Sequence, residues 1–188
     1  GQFGDGTTDD SNKPTPAGSG MQWNSFDVGS AMSCGILVGG AAACTGFNDF
    51  GQLGNGTTDD SLVVVEVAGG QQWHDISAAQ RNTCAVRHDG TMWCWGLNSS
   101  GSLGTGGTPS STATPIQVGT NADWTAVDVN FTASACGIRT DKTLWCWGRN
   151  TNGQLGLGST TNVDTPQQVA LTAVADVDLG PRGACATS

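Results

Sequence analysis

Seven cysteines, two histidines and 16 acidic side chains are the groups in this 188-residue chain with the capacity for chemistry. Six of the cysteines fall in pairs ten residues apart: Cys34 with Cys44, Cys84 with Cys94, Cys136 with Cys146. Cys185 stands alone. Structural zinc sites draw on closely spaced cysteines, and neither His74 nor His88 recurs with these pairs. The regular spacing therefore points to disulfides and an oxidising compartment, with no metal expected. No Ser, Cys and acid constellation recurs around either histidine, so no catalytic residue and no cofactor is expected. Asp5, Asp9 and Asp10, with Asn55, Asp59 and Asp60, have the oxygen chemistry of a calcium loop. Thr105 and Leu157 occupy the Asp5 phase in other copies, which makes solvated loop charge the better reading.

The cysteine pairs need an element that holds them face to face, and Thr83 to Gly106 supplies it. Its sequence TCAVRHDGTMWCWGLNSSGSLGTG reads as two short strands around His88-Asp89-Gly90, followed by a Trp-Gly exit and a glycine-punctuated loop. A three-residue hairpin loop with Gly90 in the left-handed region pairs Arg87 with Thr91. Counting back along both strands brings Cys84 opposite Cys94, at a separation of about 4.5–5.5 Å between Cα atoms, within reach of a disulfide.

The unit recurs. GQFGDGTTDDS opens at Gly1, GQLGNGTTDDS at Gly51, GSLGTGGTPSS at Gly101 and GQLGLGSTTN at Gly153. Trp23, Trp73 and Trp124 hold one phase, with Val174 in the fourth copy; the cysteines hold two more. A strand-rich period near 50 residues implies a repeat architecture in which each unit packs on its neighbours. The copies run 1–50, 51–100, 101–152 and 153–188, within one domain. Strands are expected at 23–28, 33–38, 41–46, 61–67, 73–77, 115–118, 124–129, 166–169 and 173–179, with the polar stretch 1–22, including Pro14 and Pro16, as loop with an outer edge strand. Trp23, Trp73, Trp95, Trp124 and Trp147 are repeat-phase aromatics and read as packing.

The 29 glycines and short strands fit an all-β propeller or sandwich. Seven basic against 16 acidic residues give a formal charge of −9, which argues against a nucleic-acid surface. No apolar run approaches 20 residues, so no membrane insertion is expected.

The pattern GQLGxG, a Pro or Val strand, W-x-x-[IVF], a CAV strand and DGxxWCWGxN resembles the regulator of chromosome condensation repeat. All four copies carry it, and WCWGLNSSGSLGTG and WCWGRNTNGQLGLG carry it most specifically. The resemblance implies a β-propeller of four-stranded blades, usually seven of them. The founding member is a nuclear exchange factor for a small GTPase that also docks on nucleosomes. The paired cysteines and acidic balance here look instead like secreted or cell-surface members. The leading expectation is a non-catalytic extracellular or cell-surface module that binds a protein partner. The alternatives are a fibre or coat subunit that self-assembles through propeller faces and edges, an exchange-factor-like regulator of a small GTPase, and an enzyme using loop carboxylates.

Three sequons are candidate glycosylation sites: Asn55-Gly56-Thr57, Asn98-Ser99-Ser100 and Asn130-Phe131-Thr132. Asn55 and Asn98 are expected in exposed loops, and Asn130 near the axis or a blade interface. Only the fourth copy lacks its second hairpin cysteine. A seven-bladed ring needs about 350 residues at this period. The expectation is that these residues form part of a longer protein or of an assembly in which another chain covers the open edge.

Overall fold

The computed structural model describes residues 1–13, 15–18, 20–70 and 72–188. The chain is all-β. Three four-stranded antiparallel sheets follow one another: β1 (Trp23–Val28), β2 (Met32–Leu37), β3 (Ala42–Gly46) and β4 (Ser61–Glu66) form blade 1. β5 (Trp73–Ala78), β6 (Asn82–Arg87), β7 (Met92–Leu97) and β8 (Ser111–Gln117) form blade 2. β9 (Trp124–Val129), β10 (Ser134–Arg139), β11 (Leu144–Gly148) and β12 (Val163–Gln168) form blade 3. β13 (Asp176–Gly180) and β14 (Gly183–Thr187) pair as the fourth, two-stranded sheet.

The hairpin register follows from the turn. Gly90 adopts φ of +79°, its N–H donates to the Arg87 carbonyl, and the Arg87 N–H donates to Thr91. Cys84 then lies opposite Cys94, Cys34 opposite Cys44 and Cys136 opposite Cys146. All three pairs are disulfides with Cα atoms 4.1 Å apart. Lys142 takes the Gly90 place in blade 3 and adopts the same left-handed conformation, with φ of +64°.

The repeat borders in the sequence fall inside blades. The valine-rich strand β4 belongs to the second sequence copy but closes blade 1 on the outside, and β8 and β12 do the same for blades 2 and 3. Each glycine loop therefore bridges the third and fourth strands of one blade while leaning on the next. The N–H of Gly56 donates to Ala113 of β8, and that of Gly106 to Asp164 of β12.

Two expectations are corrected. Among the described residues the N-terminal stretch has no outer strand; Asp5 makes a single bridge to Val63, and Gly4 and Gly6 at positive φ turn the chain as a loop. Pro14 lies outside the described residues. The last inner strand begins at Asp176 and not at 173, because Ala173 sits at φ of +61° in a turn.

The core lies between blades. Met32, Ile36 and Cys34 of blade 1 pack with Trp73, Ile76 and Trp95 of blade 2, and Val86 and Met92 of blade 2 with Trp124 and Trp147 of blade 3. Trp95 and Trp147 are fully buried. A Cβ built on Gly54 would stand 2.6 Å from the Trp95 indole nitrogen, so the glycine is what lets the ring approach. Each indole N–H donates to a carbonyl of the preceding blade's loop: Trp95 to Gln52 at 2.9 Å and Trp147 to Ser102 at 3.1 Å. Thr45 fills this phase in the first copy, and its hydroxyl lies 3.0 Å from the Gly1 carbonyl and 3.1 Å from that of Ser61.

Candidate functional site

The first strands of the blades, β1, β5, β9 and β13, lie side by side around one axis. Strand alternation turns every second residue of each toward it. Two repeat phases result, Ser25, Asp75, Ala126 and Asp176 in one, Asp27, Ser77, Asp128 and Asp178 in the other. Five carboxylates thereby line a single cavity of about 570 Å³ together with His74 and Phe26. A second opening of about 360 Å³ shares Asp27, Asp128 and Asp178 and is rimmed by Val28, Phe131 and Pro181.

Three of these carboxylates hold the next blade. Asp27 accepts from the Ala78 N–H at 2.7 Å, Asp75 from Val127 at 2.8 Å, and Asp128 from Leu179 at 2.6 Å. Ser77 donates its hydroxyl to Asp128 at 2.9 Å and accepts from the Val129 N–H at 3.1 Å. Burial raises the carboxyls of Asp75 and Asp128 above the usual carboxylate range, opposed by the bonds they accept. Asp176 and Asp178, on the last inner strand, are exposed. The axial face is therefore acidic; among the described residues His74 is the one basic side chain lining either opening.

A third cleft, of about 350 Å³, opens between the hairpin turns of blades 2 and 3. His74 and His88 face each other with ring centroids 5.5 Å apart, beside Asp89 and Asp123. The Arg87 guanidinium lies 3.7 Å from the Trp93 ring centroid and 5.0 Å from that of Trp73. Arg139 repeats this between Trp145 and Trp124, at 3.8 and 4.5 Å. Both cations stack, and Arg139 also faces Asp123, its Nε 3.7 Å from Oδ1.

The candidate residues named from sequence scatter accordingly. The six paired cysteines sit mid-sheet in the blades, and Cys185 is an exposed free thiol on β14. Asp5 and Asn55 occupy one turn geometry, each accepting from the backbone and hydroxyl of Thr7 or Thr57. The Thr7 bonds hold the Asp5 carboxyl below its ordinary value. Among the described residues no three His, Cys, Asp or Glu side chains are placed to hold a metal ion. Asn55 is half-buried.

Asn98 requires a correction. It is 7% exposed, because its side chain clamps the glycine loop from inside. Its Oδ1 accepts from the Leu103 N–H at 2.9 Å and its Nδ2 donates to the Pro109 carbonyl at 2.8 Å. Asn48 and Asn150 do the same, with Leu53 and Leu155 as donors and Asp59 and Ser159 as acceptors. Asn130 is buried at the junction with the fourth sheet, its Nδ2 donating to the Gly180 carbonyl at 2.8 Å. Sequence reasoning missed the axial carboxylates and this asparagine clamp. Stacking the copies WNSFDV, WTAVDV and VADVDL in register puts Asp27, Asp128 and Asp178 in one column, which was the available signal.

The repeat's sequence model matches residues 89–139 and 141–186, and a second model of the same regulator of chromosome condensation (RCC1) repeat matches 73–102. The chain belongs to the RCC1 repeat family. No curated protein matches it in sequence. Among solved structures it is similar to yeast RCC1 (Prp20), crystallised bound to Kap60, at a TM-score of 0.75 and 15% identity over 87% of this chain and 41% of that one. Human WBSCR16 gives 0.74 and 17%, covering 83% of this chain and 42% of the other. The ectodomain of the Physcomitrella patens receptor kinase CR4 gives 0.54 and 19%, over 89% and 39%. The RCC1-repeat chain thus spans about two-fifths of the length of the structures it matches. At these identities the likeness shows the fold.

Proposed function

We propose that this RCC1-repeat chain is a non-catalytic, extracellular or cell-surface binding module that takes a basic segment of a protein partner at the axial mouth of its propeller. The observation that carries the reading is the convergence of Asp27, Asp75, Asp128, Asp176 and Asp178 on one cavity of about 570 Å³, in a chain of net charge −9. A cleft lined by one sign of charge concentrates and steers the opposite sign. Three hairpin disulfides support an oxidising compartment, and one similar structure is a receptor ectodomain. A further similar structure, Prp20p, is described with binding properties to Gsp1p and histones. Protein recognition is therefore within the repertoire of the fold.

A lysine-rich peptide serves as probe, since attraction between exposed charges reaches about 10 Å at 0.1 M salt and further at lower salt. Binding should weaken with ionic strength and fall several-fold in Asp176→Asn/Asp178→Asn. Asp9→Asn/Asp59→Asn removes the same charge from exposed loops and should change binding little. Equal loss in both double variants would refute the axial site.

A further inference from the structure

The two histidines of the chain both break the repeat, and they break it at one place. His74 follows the repeat tryptophan of blade 2, where Asn24, Thr125 and Ala175 stand in the other copies. His88 opens the hairpin turn of the same blade, where Val38 and Thr140 stand in blades 1 and 3. The fold brings the two rings to 5.5 Å between centroids. Both side chains are exposed, so core packing does not account for them. Their surroundings are complete: β5 packs between β1 and β9, each in a four-stranded blade.

His74 lines two spaces at once. One is the cleft of about 350 Å³ that it shares with His88, Asp89, Asp123 and the stacked Arg87. The other is the axial cavity of about 570 Å³. There it stands with Asp75 of its own strand, Asp27 of β1, Asp128 of β9, and Asp176 and Asp178 of β13. His88 lines only the first. We propose that His74 makes the axial mouth pH-responsive, so that acidification from about pH 8 to about pH 5.5, the span in which histidine changes charge, weakens capture of a basic segment. This regulation rests on the axial binding reading and adds to it. Neutral, the imidazole leaves the five carboxylates as the charges that a cationic side chain meets. Protonated, it sets one positive charge among them and cancels part of the attraction. A sphere of about 570 Å³ is about 10 Å across, so a lysine ammonium inside lies within the screening length of His74 at 0.1 M salt. Two like charges about 8 Å apart, at an effective dielectric constant of about 40–80, repel enough to change binding about two- to six-fold. The neighbouring charges in the cleft hold steady over this range. Arg87 stays cationic. Asp89, held below the usual carboxylate range by its bonds from Thr91, stays anionic.

The test titrates the full chain against the rhodamine-labelled lysine-rich peptide by fluorescence anisotropy, at constant ionic strength. Lysine keeps its charge from about pH 8 to about pH 5.5. Over that span the dissociation constant should rise about two- to six-fold in the parent. His74→Asn, which installs the residue type of Asn24 in blade 1, should lose most of that rise. His88→Asn should keep it, because His88 lies outside the axial cavity. An equal rise in His74→Asn and the parent would overturn the inference and leave the axial reading standing. So would a parent whose affinity is flat with pH yet falls in Asp176→Asn/Asp178→Asn. Parent affinity indifferent to Asp176→Asn/Asp178→Asn would remove the axial reading, and its regulation with it.

Discussion

Removing the Asn98 side chain tests how the glycine loops are held. The substitution Asn98→Ala deletes two hydrogen bonds, one from the Leu103 N–H at 2.9 Å and one to the Pro109 carbonyl at 2.8 Å. Leu103 is fully buried, so its freed N–H has no ready access to water. A buried donor left unsatisfied costs about 1–3 kcal/mol, and the second bond adds about 0.5–1.5 kcal/mol. The expected loss is therefore about 2–4 kcal/mol. Asn98→Asp keeps the acceptor for Leu103 but gives up the donor to Pro109, and should fall about midway. Urea denaturation measures the totals. Because stability in stacked repeats need not be lost in one step, amide exchange at Leu103 provides the local readout. It should accelerate strongly in Asn98→Ala and far less in Asn98→Asp. A loss below about 0.5 kcal/mol, the ordinary range of surface changes, with Leu103 still protected, would refute the clamp.

Three further outcomes are expected. Cys84→Ser/Cys94→Ser opens a ten-residue loop and should lower stability by about 2.5–3 kcal/mol while the fold persists; non-reduced peptide mapping that joined Cys44 to Cys84 would contradict the register. Expressed in a glycosylating host, the chain should carry sugar at Asn55 in preference to Asn98 and Asn130, whose side chains are buried and bonded; glycopeptides occupied at Asn98 and bare at Asn55 would contradict that order. The carboxyls of Asp75 and Asp128 are raised by burial, so the folded state holds their protons more tightly than the unfolded chain does. Their contribution is complete below the unfolded value near 3.9 and is lost as pH rises through the folded values; Asp128→Ser should therefore show a smaller fall in stability from acid toward neutral pH than the parent, and an equal fall would contradict the assignment.

Much of the fold was legible because the local chemistry is repetitive. The turn at Gly90 fixed the register of one hairpin, and the period carried it to the others. What the sequence concealed was the blade boundary: β4 is separated from β3 by a 14-residue loop, and only three-dimensional pairing shows that the two share a sheet. Asn98 misled because a sequon in a Gly/Ser-rich loop reads as exposed, whereas buried loop backbone needs an internal side-chain partner and the asparagine supplies it. The axial carboxylates were hidden for a related reason. Asp27 and Asp128 each sit alone on a short strand, and the cluster exists only when the inner strands are brought together.

Carboxyl footprinting with and without a bound lysine-rich peptide addresses the binding claim at the atoms concerned. Asp176 and Asp178 are exposed at the axis, as Asp9 and Asp59 are in the outer loops, so all four are labelled in the free protein. The account predicts that the peptide suppresses labelling of Asp176 and Asp178 and leaves Asp9 and Asp59 unchanged. Uniform suppression at all four, or protection confined to the outer loops, would contradict it.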